Sequence, residues 1–153
     1  MSDGLTHNIS MEEWKYRNKS ITKLSQMPTG TMGFIYIIET SKGDMYVGRK
    51  MVVHTRKRKL SKKKIAEMKD KRLSKFKVVT KESDWRNYTG SSKPFNLVIQ
   101  TGVPYTKTIL KFCKTKTELS YYEAKYQFKL EVLENDKYYN DNIGDKYYRS
   151  WLK

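Results

Sequence analysis

Two apolar stretches flank a polar turn near the start of the chain. Gly33-Phe34-Ile35-Tyr36-Ile37-Ile38 and Met45-Tyr46-Val47-Gly48-Arg49-Lys50 lie either side of Ser41-Lys42-Gly43-Asp44. That order predicts a β-hairpin with one tyrosine on each strand. Tyr105 to Phe112 alternates enough to predict a third strand. Beyond it the period changes. At 100° per residue, Leu119, Tyr122, Tyr126, Leu130 and Leu133 fall within one arc of about 80°. Thr115 and Glu118 stand before them with capping-box spacing. The spacing predicts a helix to about Leu133, ended by Asn135-Asp136. A shorter helix is bracketed by Pro94 in its first turn and Gly102 past its end.

The remaining segments are more polar. Residues 1–30 read as an N-terminal arm, in which Ser10 and Glu13 predict a short helix through Trp14 and Tyr16. Ser61 to Phe76 predicts another helix, with Ile65, Met68, Leu73 and Phe76 as a broad, weak apolar face. Asp84 to Ser92 reads as a loop with aromatic anchors. Tyr147, Tyr148 and Trp151 are expected to pack back on the domain. The elements together predict an α/β (α+β) domain over residues 31–153. Its small three-stranded antiparallel sheet is flanked by helices, and a basic insertion at about 49–81 follows the hairpin.

Charge sharpens this picture. The 153 residues suffice for one domain with a core, yet only 37% are apolar and 31% are charged. The net charge of +16 favours polyanions, meaning nucleic acid or an acidic membrane. Between Arg49 and Lys81 stand 15 Lys or Arg against two acids, Glu67 and Asp70. No apolar run is long enough to span a bilayer, and Met1-Ser2-Asp3-Gly4 does not open a secretory signal. An intracellular protein with no membrane partner is therefore expected. Cys113 is the single cysteine and reads as a buried thiol in a reducing compartment. One Cys and two His argue against a zinc site.

Gly33-Phe34-Ile35-Tyr36 and Tyr46-Val47-Gly48 resemble the two signature elements of the GIY-YIG nuclease family, with Phe34 as an extra residue in the first. The resemblance covers about residues 32–145. It implies a catalytic set of Tyr36, Tyr46, Arg56, Glu123 and Asn140. Arg56 stands ten residues past Tyr46, with Arg58 as the alternative match. Asn140 follows Tyr138-Tyr139, with Asn142 as its alternative, and His54 is a further candidate near the arginine. The element Trp85…Tyr88…Gly90-Ser91-Ser92 is similar to free-standing homing-type endonucleases of large bacteriophages. That likeness places the protein in the cytoplasm of an infected host cell.

Glu123 also stands out without the resemblance. On the helix wheel it falls about 40° from Leu119, at the edge of the apolar stripe. A carboxylate facing a sheet is costly unless it is paired or holds a metal. Tyr36 and Tyr46 alone would read as strand residues packed in a core. The hairpin, Arg56 and Glu123 together favour a site.

Phosphodiester hydrolysis needs an activated water, a Lewis acid and stabilisation of the added negative charge. Glu123 would bind one Mg²⁺ (or Mn²⁺), Arg56 would clamp the phosphate, Tyr36 would accept the proton of the water, and Tyr46 would orient it. That base role calls for a phenol pKa lowered from about 10. Arg49, Lys50, Lys57, Arg58, Lys62, Lys63, Lys64, Trp85 and Arg86 are the candidate contacts to double-stranded DNA. One such site cuts one strand, so double-strand cleavage calls for a homodimer or two visits. The rival expectation is a catalytically silent nucleic-acid-binding protein of the same fold.

Overall fold

A computed structural model describes residues 12–70 and 75–152. The elements, in chain order, are β1 (Trp14–Tyr16), β2 (Lys19–Ile21), β3 (Gly33–Thr40), β4 (Met45–Met51), β5 (Val53–Lys59), α1 (Lys62–Glu67), β6 (Phe76–Glu82), α2 (Lys93–Gln100), β7 (Tyr105–Cys113), α3 (Lys116–Lys129), β8 (Asn142–Ile143) and β9 (Tyr147–Tyr148). Short 3₁₀ turns include Leu24–Gln26 and Trp85–Asn87. Among the described residues no helix is long and apolar enough to cross a membrane.

The central strand explains its own sequence. β3 pairs antiparallel with β4 on one side and with β7 on the other. Both of its faces are covered, which is why Gly33 to Ile38 reads as a continuous apolar run. Phe34, Tyr36 and Ile38 face a core with Trp14, Trp85, Phe95 and Ile109. Ile35 packs on the opposite side with Cys113 and Leu119. The pairing of β3 with β7 shifts between Ile35 and Tyr36. Such an irregularity re-aims side chains next to a site.

The sheet has five strands, not three, in the order β2-β1-β7-β3-β4, and β1 runs parallel to β7. The two added strands come from the arm. Trp14 to Tyr16 is a strand rather than the expected helix, and Ser10 lies outside the described residues. Arg17 and Asn18 both take positive φ, 49° and 69°. That is the two-residue turn whose twist suits a hairpin. Trp14 decides the outcome. Its ring lies 4.8 Å from that of Phe34 and 5.2 Å from that of Tyr36, and its Nε1 donates to the Trp85 carbonyl at 2.7 Å. Burying an indole contributes on the order of 3 kcal/mol, more than a helix cap does.

The basic insertion also differs from expectation. The helix read over Ser61–Phe76 shrinks to six residues in α1, capped by Ser61. Leu73 lies outside the described residues. On either side of α1, β5 and β6 pair antiparallel as a separate two-stranded sheet.

The C-terminal aromatics dock only in part: Trp151 is 69% exposed, Tyr147 is 53% exposed with its ring 5.6 Å from that of Phe128, and Tyr148 is half-buried. Arg149 completes the docking. Its guanidinium donates to the carbonyls of Val132, Leu133, Asn135, Tyr138 and Asn140 at 2.6 to 3.3 Å. One planar fork thus ties the chain after α3 to the strand leaving it. Arg149→Ala is expected to lower unfolding free energy by about 2–3 kcal/mol, since bonds to a charged donor are the strong ones. Arg149→Lys should recover little, because an ammonium cannot fork across five acceptors. Urea denaturation of the three proteins checks both.

Candidate active site

A cavity of about 920 Å³ opens beside β4, the edge strand of the main sheet. It is lined by Tyr36, Tyr46, Gly48, Arg49, Tyr88, Ser91, Ser120, Glu123, Asn140 and Asp145, among others. Register explains how the sheet delivers the phenols. Tyr36 lies opposite Gly48 and Ile38 opposite Tyr46, so both tyrosines share one face. Their rings are 6.3 Å apart. Tyr46 stacks on Phe95, and its hydroxyl meets the Ser91 Oγ at 3.1 Å.

Gly48 leaves room for the first phenol. A Cβ there would stand 2.6 Å from the Tyr36 Oη and 2.9 Å from its Cζ. Gly48→Ala is expected to push the Tyr36 ring aside and to cost about 1–3 kcal/mol by overpacking. Melting and cleavage measured on one preparation check this. Activity should fall further than the loss of folded protein explains.

Arg49 and Glu123 meet from the other side. Strand alternation puts Arg49 on the face of Val47, which α3 covers. The Arg49 Nε stands 3.6 Å from the Glu123 Oε1, and its Nη1 donates to the Ser120 Oγ at 2.6 Å. α3 starts where the sequence predicts. The Thr115 hydroxyl accepts from the Glu118 N–H, and the Glu118 carboxylate accepts from the Lys114 N–H.

Burial raises the pKa of Glu123, the pull of Arg49 lowers it and the charge of Asp145 raises it. Desolvation outweighs the arginine. Tyr36 is 1% exposed, and burial holds its pKa well above 10. Tyr88, Tyr46 and Glu123 add to that shift. Tyr46 is raised by burial too, against the opposing bond from Ser91. The phenol of Tyr36 is therefore protonated at neutral pH, the reverse of the lowered pKa its base role calls for.

Asn140 lines the cavity but works on the backbone. The outer edge of β4 has polar groups that need partners. The Val47 N–H donates to the Asn140 Oδ1 at 3.1 Å, and the Asn140 Nδ2 donates to the Val47 carbonyl at 2.7 Å. Gln127 donates to the same carbonyl. Asn142 also lines the cavity, and its Oδ1 accepts from the Asp145 N–H.

The structure does not bring Arg56 to this cavity. It sits exposed on β5, opposite Val79, and Arg58 lies beyond it, opposite Lys77. His54 is exposed on the same ribbon. Lys57, Lys62, Lys63 and Lys64 are exposed as well. Lys50 braces the loop before α2, with its Nζ 2.7 Å from Asp84 and 4.0 Å from the centre of the Tyr88 ring. Trp85, expected to contact DNA, is fully buried and is a core residue. Arg86 is engaged by Glu82 and the Thr22 carbonyl and lies over the Trp85 ring.

Three residues have positions that the sequence does not announce. Arg49 counts among the general DNA contacts, although alternation from Val47 puts it on the face of α3. Tyr88 stands in the sequence as a loop anchor and as part of the homing-type element. Lys107 interrupts the apolar positions of β7. It is buried beside the Trp14 ring and donates to the carbonyls of Arg86 and Tyr88, both at 2.9 Å. Burial lowers its pKa to about 8. A neutral amine still has two donors for those two carbonyls.

Among the described residues no three His, Cys, Asp or Glu side chains cluster as a metal cage. Glu123, with Asp141 and Asp145 also lining the cavity, offers oxygen donors only. That set fits Mg²⁺, which keeps most of its waters and takes one or two carboxylates.

Paired strand tyrosines over a glycine, facing a helix carboxylate across a sheet edge, define the GIY-YIG class of nuclease domain. The chain belongs to this family: the family model described as "Putative endonuclease segE, GIY-YIG domain" matches residues 14–143. No curated protein and no solved structure matches the chain.

Proposed function

We propose that the protein is a divalent-metal-dependent endonuclease that hydrolyses phosphodiester bonds of double-stranded DNA. Its setting is the homing or host-DNA-cutting role of a free-standing phage enzyme, inside the infected cell. The observation that carries the reading is the convergence of Tyr36, Tyr46, Arg49 and Glu123 on one cavity at the sheet edge.

Glu123 is the residue that would hold the metal, and the ion supplies Lewis acidity at the scissile phosphate. Arg49 takes the clamp role that the resemblance gives to Arg56. Its guanidinium is half-exposed at the cavity and is fixed by Ser120 and Glu123, so it presents its remaining N–H donors to a phosphate oxygen. In this reading Tyr36 accepts the proton of the water. Burial is the main cause of its high pKa, with Tyr88, Tyr46 and Glu123 as lesser ones, so a cation held at Glu123 removes only one of the lesser causes. Tyr46, bonded to Ser91, orients the water.

The test is supercoiled plasmid incubated with wild type and with Glu123→Gln, with Mg²⁺ and with chelator. Nicking by wild type in Mg²⁺ alone is expected. Tight DNA binding with no cleavage under any divalent ion would make the protein a silent binder of this fold. Linear product rising with the square of protein concentration would identify a homodimer as the double-strand cutter.

A further inference from the structure

The β5–β6 ribbon is the largest feature that the chemistry leaves unused. Every residue in it except Val53 and Val79 is exposed, so it is open to solvent on both faces. Its register sorts the side chains. His54, Arg56 and Arg58 stand opposite Lys81, Val79 and Lys77, and residues directly opposite share a face. That face carries four cations and no carboxylate. The other face holds Lys57 and Lys59 with Thr55, Thr80, Val78, Phe76 and the single acid, Glu82.

Such a face works against its own strand pairing. Arg58 lies directly opposite Lys77. Like charges in that position destabilise a ladder, and a two-stranded hairpin is marginal to begin with. A polyanion laid along the face relieves the repulsion.

The base of the ribbon is fixed to the main sheet. The Val52 N–H donates to the Met32 carbonyl at 2.8 Å, and the Ser83 N–H donates to the Val52 carbonyl at 2.9 Å. Val52 itself is fully buried. β5 directly continues β4, whose Gly48 and Arg49 line the cavity. The orientation of the ribbon is thus tied to that of the site.

Dimensions select the occupant. Two strands about 4.8 Å apart, with side chains on either side, fit the major groove of B-DNA, about 12 Å wide. The minor groove, about 6 Å wide, excludes them. The deep, narrow major groove of A-form RNA excludes them as well.

We propose that the ribbon enters the major groove with the Arg56–Arg58 face toward the bases and reads sequence beside the cut. This rests on the nuclease reading only for the position of the cut. The two arginines have the fork geometry that pairs with guanine O6 and N7. The lysines of α1 supply phosphate contacts that carry no sequence information. From Arg49 to Arg56 the backbone spans at most about 25 Å. The bases read therefore lie within about one helical turn of the scissile phosphate, a turn being about 34 Å.

The experiment uses the full chain and a randomised duplex pool. One arm selects bound duplexes in chelator, and the other sequences the ends cut in Mg²⁺. Wild type is compared with Arg56→Lys/Arg58→Lys, which keeps the charge, and with Lys62→Gln/Lys63→Gln. The double lysine variant should lose roughly tenfold preference at each guanine-bearing position within one turn of the cut. Its salt dependence of binding should not change. The α1 variant should keep the preference and lose about 0.9 in salt slope per phosphate contact.

A preference unchanged in the double lysine variant overturns the proposal, as does cutting by wild type with no base preference in that window. Efficient competition by duplex RNA overturns it too. A selected motif without cleavage would instead remove the nuclease reading and leave the ribbon as the reader. Arg56, Arg58, Lys62 and Lys63 are all exposed, and Lys77→Gln/Lys81→Gln tests the same face should the arginine variant melt early.

Discussion

Glu123→Gln abolishes cleavage, by at least about a thousandfold or on the order of 4 kcal/mol in barrier, while DNA affinity stays within a few-fold. Glutamine keeps the shape and loses the anionic oxygens a divalent ion requires. The basic surface that binds phosphates lies on other elements and is untouched. The raised pKa of Glu123 fixes the direction of two further effects. First, at metal concentrations well below saturation the acid limb of the wild-type pH–rate profile should lie above the ordinary glutamate range, and added metal, which competes with the proton for the carboxylate, should move it down. Second, this acid binds its proton more tightly folded than unfolded, so its contribution to stability falls as pH rises through that window. The Gln variant escapes that loss at neutral pH, and its melting temperature should equal or exceed that of wild type. Residual activity above a tenth, or a clearly lower melting point, would mark Glu123 as a structural partner of Arg49.

Arg49→Ala should lower single-turnover cleavage at saturating protein by a hundred- to a thousandfold, about 3–4 kcal/mol, the usual loss for one donor aimed at developing charge. Arg49→Lys should restore little, because a point charge cannot keep Ser120 and grip a phosphate together. Arg56→Ala should leave the rate on bound DNA near wild type and change where the enzyme cuts. The contrast separates two ways of finding the arginine. Counting ten residues from Tyr46 selects Arg56, and the cavity selects Arg49. A silent Arg49→Ala beside a damaging Arg56→Ala would restore the count.

Local signals made half of the fold legible. The β3–β4 hairpin followed from apolar runs around a turn, α2 from Pro94 and Gly102, and α3 from Thr115 and Glu118. Glu123 stands out by its place at the edge of an apolar stripe, whereas Tyr36 and Tyr46 read alone as core strand residues and are marked by the resemblance to the family's two signature elements. What failed depended on tertiary contacts. The arm looked helical because Ser10 and Glu13 match a cap, whereas Trp14 is drawn into the sheet by Phe34, Tyr36 and the Trp85 carbonyl. The weak apolar face over Ser61–Phe76 suggests a longer helix than α1, and the flanking strands β5 and β6 give no local strand signal, because strand propensity is decided mostly by the partner strand. Arg56 lies away from the cavity for the same reason. A count along the chain assumes the segment after Gly48 turns back over the site, and here it leaves as β5.

The amide of Asn140 closes the exposed edge of β4 at Val47. Strands left open at an edge recruit other strands, including those of neighbouring molecules. Asn140→Ala would strip the Val47 N–H of its partner and leave Gln127 alone on the carbonyl. Such a variant should be inactive, but its dominant defect should be concentration-dependent aggregation, visible by light scattering before any assay of cleavage. The residue that the family resemblance marks as catalytic would then be a guard against self-association, and its loss would mimic an active-site lesion only in dilute solution.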